Sequence, residues 1–233
     1  MIGSPPFADN LSRIHLNELD DSELVSQLQE EQYHRGDAYG FTVEKVEDTL
    51  VSAYLLLTRP EVRQVFNEET QRVEEQEIQT IEKIPFRIDF KYGLLEIFAD
   101  QDSISNVTNK IGQLTNWETS IENATFNPRD VLEDVQNKYK TELTSVKISN
   151  YTVSDAVVGD LSADINDQEI GRNLIEEYTG DVSYVGVRVE TRGGTVTIGI
   201  YDSGSVLVYN EIDTIIEVLD TIKQSAVGGE MYA

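Results

Sequence analysis

Acid-base, nucleophilic or metal chemistry needs histidines, thiols or converging carboxylates, and this chain of 233 residues has two histidines, no cysteine and 43 acidic residues. His15 and His34 lie in different segments, with no second histidine or acid at ligand spacing, so the sequence predicts neither a zinc site nor a histidine base beside a serine. Without cysteine there is no thiol nucleophile and no disulfide. Adjacent acids recur at Asp20 and Asp21, Glu68 and Glu69, Glu74 and Glu75, and Glu176 and Glu177. Paired carboxylates can support acid-base or two-metal catalysis, but in so acidic a chain they arise by composition and read as solvated surface. Asp160, Asp164 and Asp167 approach cation-ligand spacing without the glycine and closing glutamate of a calcium loop. Arg192-Gly193-Gly194 falls between two strand-like runs rather than ahead of a helix, which predicts a hairpin turn and not a phosphate cradle. No catalytic residue, metal or cofactor is assigned.

Surfaces must then carry the function, and the elements that build them come twice. Phe86 to Phe98 alternates apolar and polar residues around Gly93 and runs on into Ile104, Val107 and Ile111 at helical spacing. Val196 to Tyr209 does the same around Gly204, followed by Ile212, Ile215, Ile216, Leu219 and Ile222. After the turn, Gly93, Leu95, Ile97, Ile104, Val107 and Ile111 match Gly204, Val206, Val208, Ile215, Val218 and Ile222 at an offset of 111. Before it, Phe86, Ile88 and Phe90 match Val196, Ile198 and Ile200 at 110, as Phe41 matches Tyr151.

The self-similarity predicts an α+β protein of two pseudo-symmetric repeats, 18–116 and 117–226, between an N-terminal segment 1–17 and a C-terminal tail 227–233. Each repeat reads helix, two strands, helix, strand, hairpin, helix. In the first these fall at 21–32, 40–46, 49–58, 60–73, 77–83, 86–91 with 94–99, and 102–115. In the second they fall at 129–139, 142–153, 157–165, 168–178, 182–190, 195–201 with 205–209, and 211–225. Pro128 suits a first helical turn and Asp102 or Asn210 a helix N-cap. Glu68 to Gln79, rich in Glu and Gln, reads as a solvated helix end or loop. Half-buried alternating strands predict an antiparallel, curved sheet with the helices on one face. Trp117, at the junction, is expected to anchor the repeats to each other or to a partner.

The net charge of −25 is dispersed along the chain rather than gathered in a tail. Such a surface repels itself and phosphate backbones at ordinary ionic strength, whereas at molar salt the Debye length falls to about 3 Å. The composition therefore predicts a salt-adapted, halophilic protein, with a mesophilic acidic protein that avoids or mimics nucleic acid as the alternative. No basic, apolar leader and no run of about 18 apolar residues stands out, so no membrane partner and a cytoplasmic location are expected. The triplets at Asn10, Asn106, Asn123 and Asn150 read as composition, not glycosylation sites.

In the second copy, Val185-Gly186-Val187-Arg188-Val189-Glu190, a short turn, and the run from Thr197 through Tyr201 and Gly204 to Val208 resemble the TATA-box-binding protein family. Tyr184 and Tyr201 are spaced like that family's two aromatic wedges, and Phe90-Lys91-Tyr92-Gly93 is what the first copy retains. The resemblance implies a saddle with DNA on its concave sheet. The family's glycine-lysine pair is absent, since Ser205 follows Gly204 and Leu94 follows Gly93. Strand parity sets Arg188, Glu190, Thr195, Thr197 and Gly199 on the face of Tyr184 and Tyr201, with Arg87, Asp89 and Lys91 as the exposed set in the first copy. A carboxylate there opposes phosphate. The expected function is a non-enzymatic interaction or regulatory protein with a protein partner. Alternatives are a diverged transcription-associated DNA binder at high salt and a structural component of a viral or plasmid-derived particle, assembled through a self-pairing sheet edge.

Overall fold

Part of the segment set apart from both repeats in the sequence, Phe7 to His15, supplies the middle of the sheet. Strand β1 (Phe7–His15) pairs along one edge with β5 (Leu94–Ile97) and along the other with β11 (Ser205–Val208), beyond which β6 (Ser120–Asn123) continues. The described residues of this computed structural model are 5–154, 157–177, 180–211 and 214–228; Ile212 and the tail from 229 on lie outside them. They form an 11-stranded open antiparallel sheet and five helices, an α+β fold.

From β5 the sheet runs outward through β4 (Arg72–Asp89), β3 (Leu50–Asn67) and β2 (Tyr39–Glu47). From β11 it runs through β10 (Gly194–Tyr201), β9 (Asp181–Thr191), β7 (Lys140–Ser154) and β8 (Val157–Asp164). Helices α1 (Asp21–Glu30) and α2 (Gln101–Leu114) belong to the first half, and α3 (Pro128–Lys138), α4 (Gln168–Glu177) and α5 (Ile216–Gly228) to the second. Asp20 closes a capping box with Glu23 at the start of α1, Asp100 rather than Asp102 caps α2, and Asn127 precedes the first-turn Pro128 of α3. Among the described residues Asn210 serves a strand. Its amide oxygen accepts from the Thr197 N–H at 2.7 Å, satisfying the end of β10.

Successive residues of a strand point to opposite sides of a sheet, and the register shows that the helices do not share one face. Ile97 lies opposite Phe86 and Leu95 opposite Ile88; these four pack with Phe41, Leu55, Ile104, Val107 and Ile111 in a core under α1 and α2. Glu96, between Leu95 and Ile97, lies opposite Leu11, and the face of Leu11 continues through Val206 and Ile200 to Val185. That opposite face carries the second core, where Val185, Val187, Ile198, Ile200, Val206 and Val208 pack with Val131, Val135, Ile215, Val218 and Ile222 of the second half's helical segments. The expectation of helices on one face is corrected: each half is covered on a different side. Alternation fixes which residues share a face, but carries no label for which face a distant half will use.

Two further expectations are corrected. The helix at 60–73 is absent; β3 and β4 instead pair without interruption from Leu50 with Asp89 to Asn67 with Arg72. Beyond Leu57 this ribbon has lost its outer neighbours, since β2 pairs only to Leu57 and β5 only from Phe86. Val62, Val65, Phe66 and Val73 favour extended backbone, while Pro60, at the start of the expected helix, opposes neither form. The second concerns register. The pairing sets Phe86 and Ile88 opposite Ile97 and Leu95, and Ile198 and Ile200 opposite Val208 and Val206. Strand pairing thus relates these hairpins at a spacing of 112, where the apolar alternation relates them at 110. A two-residue shift preserves period-2 alternation, so the apolar pattern alone cannot distinguish them.

Candidate functional site

The residues singled out in the sequence fall on two sides of the sheet. Tyr184, Arg188, Thr195, Thr197 and Tyr201 share the uncovered face of the second half, with Tyr184 opposite Tyr201 and Arg188 opposite Thr197. Gly186 and Gly199, themselves paired, leave space for the Tyr184 ring; a Cβ at Gly199 would come within 2.6 Å of it. The Tyr184 and Tyr201 rings pack against each other at 4.6 Å between centroids, tilted by 48°, and the Lys147 ammonium lies 5.4 Å from the first and 6.0 Å from the second. Burial first, then the neighbouring tyrosines, holds both phenols above their ordinary range, although a bond to Ser145 draws Tyr184 back. Arg188 is tied to Glu142 at 3.1 Å, and Lys140 is paired with Glu190. These contacts make a self-packed aromatic and ion-paired face.

Arg87 points the other way, on the face of Glu96, with its guanidinium 5.4 Å from the Phe98 ring. Lys91 lies in the turn after β4 and bonds the Tyr92 hydroxyl at 2.8 Å. The candidate set is therefore not one site. Trp117, with φ +63°, folds onto Gly112 at the end of α2 and remains 64% exposed. It is no buried anchor between halves. Arg192 and Gly193 form the hairpin turn between β9 and β10, as expected, with the Thr191 hydroxyl donating to Gly194. His15 and His34 are exposed and apart, Asp167 accepts from the first-turn N–H groups of Glu169 and Ile170, and no cluster of metal-ligating side chains occurs among the described residues.

Two features escaped the sequence reading. One is the β3–β4 ribbon beyond Leu57, an arm about 30 Å long at roughly 3.3 Å per residue. Thr58, Val62 and Phe66 share a face with their partners Ile81, Glu77 and Val73. Val62, Phe66, Val73 and Ile81 are 57–64% exposed, an apolar stripe with no cover among the described residues. Arg59, Arg63, Glu61 and Glu82 pair along the other face and edge.

The other is a charged cluster at the centre of the sheet, under α5. Asp9, Asp89 and Glu96 lie on one face and Lys223 reaches them from the helix; all four are buried. The ammonium of Lys223 lies 2.6 Å from Glu96 Oε1 and donates to Asp89 Oδ2 at 3.1 Å. Neither carboxylate oxygen of Asp9 has a hydrogen-bond partner. Burial, then the charge of Glu96, raises the Asp9 carboxyl well above the ordinary carboxylate range, and Lys223 and Arg87 only partly oppose this. Glu96 is raised too, by burial against the pull of Lys223. Burial draws the Lys223 ammonium down, but Glu96 and Asp89 outweigh it and hold it above the usual lysine range. The Arg13 guanidinium fixes the end of α5 by donating to Ala226 O at 2.9 Å. Asp9, Glu96 and Lys223 are remote in sequence, and nothing in their local patterns links them.

No protein-family model matches the chain, and no curated protein matches it.

Proposed function

We propose that this chain is a non-enzymatic, salt-adapted interaction protein that holds a protein partner through its β-ribbon arm. The observation that carries the reading is the stripe of Val62, Phe66, Val73 and Ile81 on a two-stranded projection whose outer backbone edges, beyond Thr58, have no partner strand among the described residues. Exposed apolar patches and open strand edges mark association surfaces. Glu74, Glu75 and Glu77 along the ribbon disfavour phosphate, so a protein groove suits the arm better than a nucleic-acid backbone. Burying one such apolar side chain contributes about 1.5–3 kcal/mol, and association itself costs about 4–15 kcal/mol. Four side chains alone support only a weak contact, so a tight complex also uses the ribbon's backbone edge or the sheet behind it. The DNA-binding alternative loses support from Tyr184 and Tyr201, whose rings pack on each other, and from Arg87, which faces away from them.

The two halves are best read as copies of one unit, turned over about β1. Support comes from Gly93 and Gly204, both at positive φ, whose carbonyls accept from Ile14 and Leu11 on opposite edges of β1. In this reading β8 with α4 was added to the second half and the arm to the first.

A photoreactive phenylalanine analogue at position 66, irradiated in molar potassium chloride with extract of the source cells, tests the arm. The expected result is one protein adduct, identified by mass spectrometry. The purified partner then binds the full chain and not a variant with 60–79 replaced by a tight turn. An adduct to nucleic acid, or equal partner binding by the arm-less variant, overturns the reading.

A further inference from the structure

We propose that Asp9 is a proton-binding site that governs the seating of α5: the neutral acid lets the helix lie across β1 and β5, and loss of the proton loosens it. Asp9 is fully buried in the central strand, and both of its oxygens lack a hydrogen-bond partner. An ionised carboxylate in such a place is strongly disfavoured, whereas a neutral carboxyl forgoes only ordinary hydrogen bonds. The only buried cation in the cluster, Lys223, is already shared between Glu96 at 2.6 Å and Asp89 at 3.1 Å.

The charges around Asp9 can be followed element by element. From β5 comes Glu96 and from β4 come Arg87 and Asp89; from β1 itself comes Arg13, opposite Glu122 of β6. From α5 come Lys223 and, 3.9 Å from its ammonium, Asp220. On the remaining side β11 offers only Val206 and Val208. With Asp9 neutral, the buried carboxylates Asp89 and Glu96 face Lys223 and Arg87, and the less buried Asp220 and Arg13 add one charge of each sign. With Asp9 ionised, a third negative charge stands in the buried layer without a donor. The helix can relieve this by lifting, which admits water to Asp9.

The sign follows from linkage. A carboxyl whose pKa is raised in the closed state contributes stability that is complete below its ordinary pKa and is lost as pH climbs to the raised value. Over that window the opening equilibrium of α5 rises about tenfold per pH unit for each proton released. Glu96, raised as well, adds in the same direction. Asp20 and Asp100, held low by bonds to Ser22 and Ser103 and to nearby N–H groups, act with the opposite sign and at acid pH. Measurements from pH 5 upward therefore leave these two groups out.

The test uses the full chain at fixed molar salt. Amide hydrogen exchange over 216–228, corrected for the intrinsic rate, is followed from pH 5 to 9 in the wild type and in Asp9→Asn, and the infrared carboxyl region is recorded at pH 7. We expect a neutral-carboxyl band that Asp9→Asn removes, and α5 protection that falls with pH in the wild type. In the variant that fall is shallower by one proton, and protection at pH 8 exceeds that of the wild type. The proposal is overturned if the wild type has no neutral carboxyl at pH 7, or if the pH slope of α5 protection is the same in both proteins. Absence of a neutral-carboxyl band in the wild type overturns the proposal even if the variant does not fold.

Discussion

The two ends of the β3–β4 hairpin follow one another along the same strands and meet different fates. At the body end, Phe86 and Ile88 are buried between β3 and β5 and beneath the first half's helices. At the far end, Val62, Phe66, Val73 and Ile81 continue the same pairing with solvent on both faces. The backbone ladder is equally regular in both. A ladder of hydrogen bonds thus suffices to extend a ribbon away from its core, while stability is decided by what covers the side chains, since each intramolecular hydrogen bond is worth only about 1 kcal/mol net of water.

Substitutions along the hairpin test that contrast most directly. Phe86→Ala is expected to cost about 3–5 kcal/mol, measured as a shift in denaturant midpoint, because it opens a cavity in a packed core. Next comes Gly204→Ala. Its φ of +80° and an added Cβ only 2.2 Å from the Ala124 carbonyl oxygen predict a loss of at least about 2 kcal/mol. Its counterpart Gly93→Ala has φ +62° but meets nothing closer than 3.5 Å, so only the left-handed penalty of about 1 kcal/mol should register. Smallest is Val73→Ala, expected to change stability by less than about 0.5 kcal/mol while weakening partner binding. If Val73→Ala destabilised the chain as much as Phe86→Ala, the arm would be packed against the body and the contrast would fail.

The sequence carried the local pattern well. The glycine turns, the hairpin at Arg192 and Gly193, the common face of Tyr184 and Tyr201, and most element positions follow from period-2 and period-3.6 spacing, which is a property of neighbouring residues. The arm was illegible because its few apolar residues are interrupted by Glu75 and Glu77 on the same face, and its Glu-rich stretch reads as helix or loop. Strand β1 was hidden for the opposite reason. Asp9, Asn10 and Ser12 are buried polar residues in a central strand, against the usual rule for interiors. The central cluster joins residues whose partners are set by the whole topology, so no spacing along the chain announces it.

The position of β1 also has a consequence for the order of folding. One of its edges is closed by Leu94 to Ile97 of the first half. The other edge, Phe7 to Asn10, has to wait for Ser205 to Val208. Folding of the first half alone therefore leaves an open central edge, and its completion is the step that most depends on the slow, long-range closure of the chain.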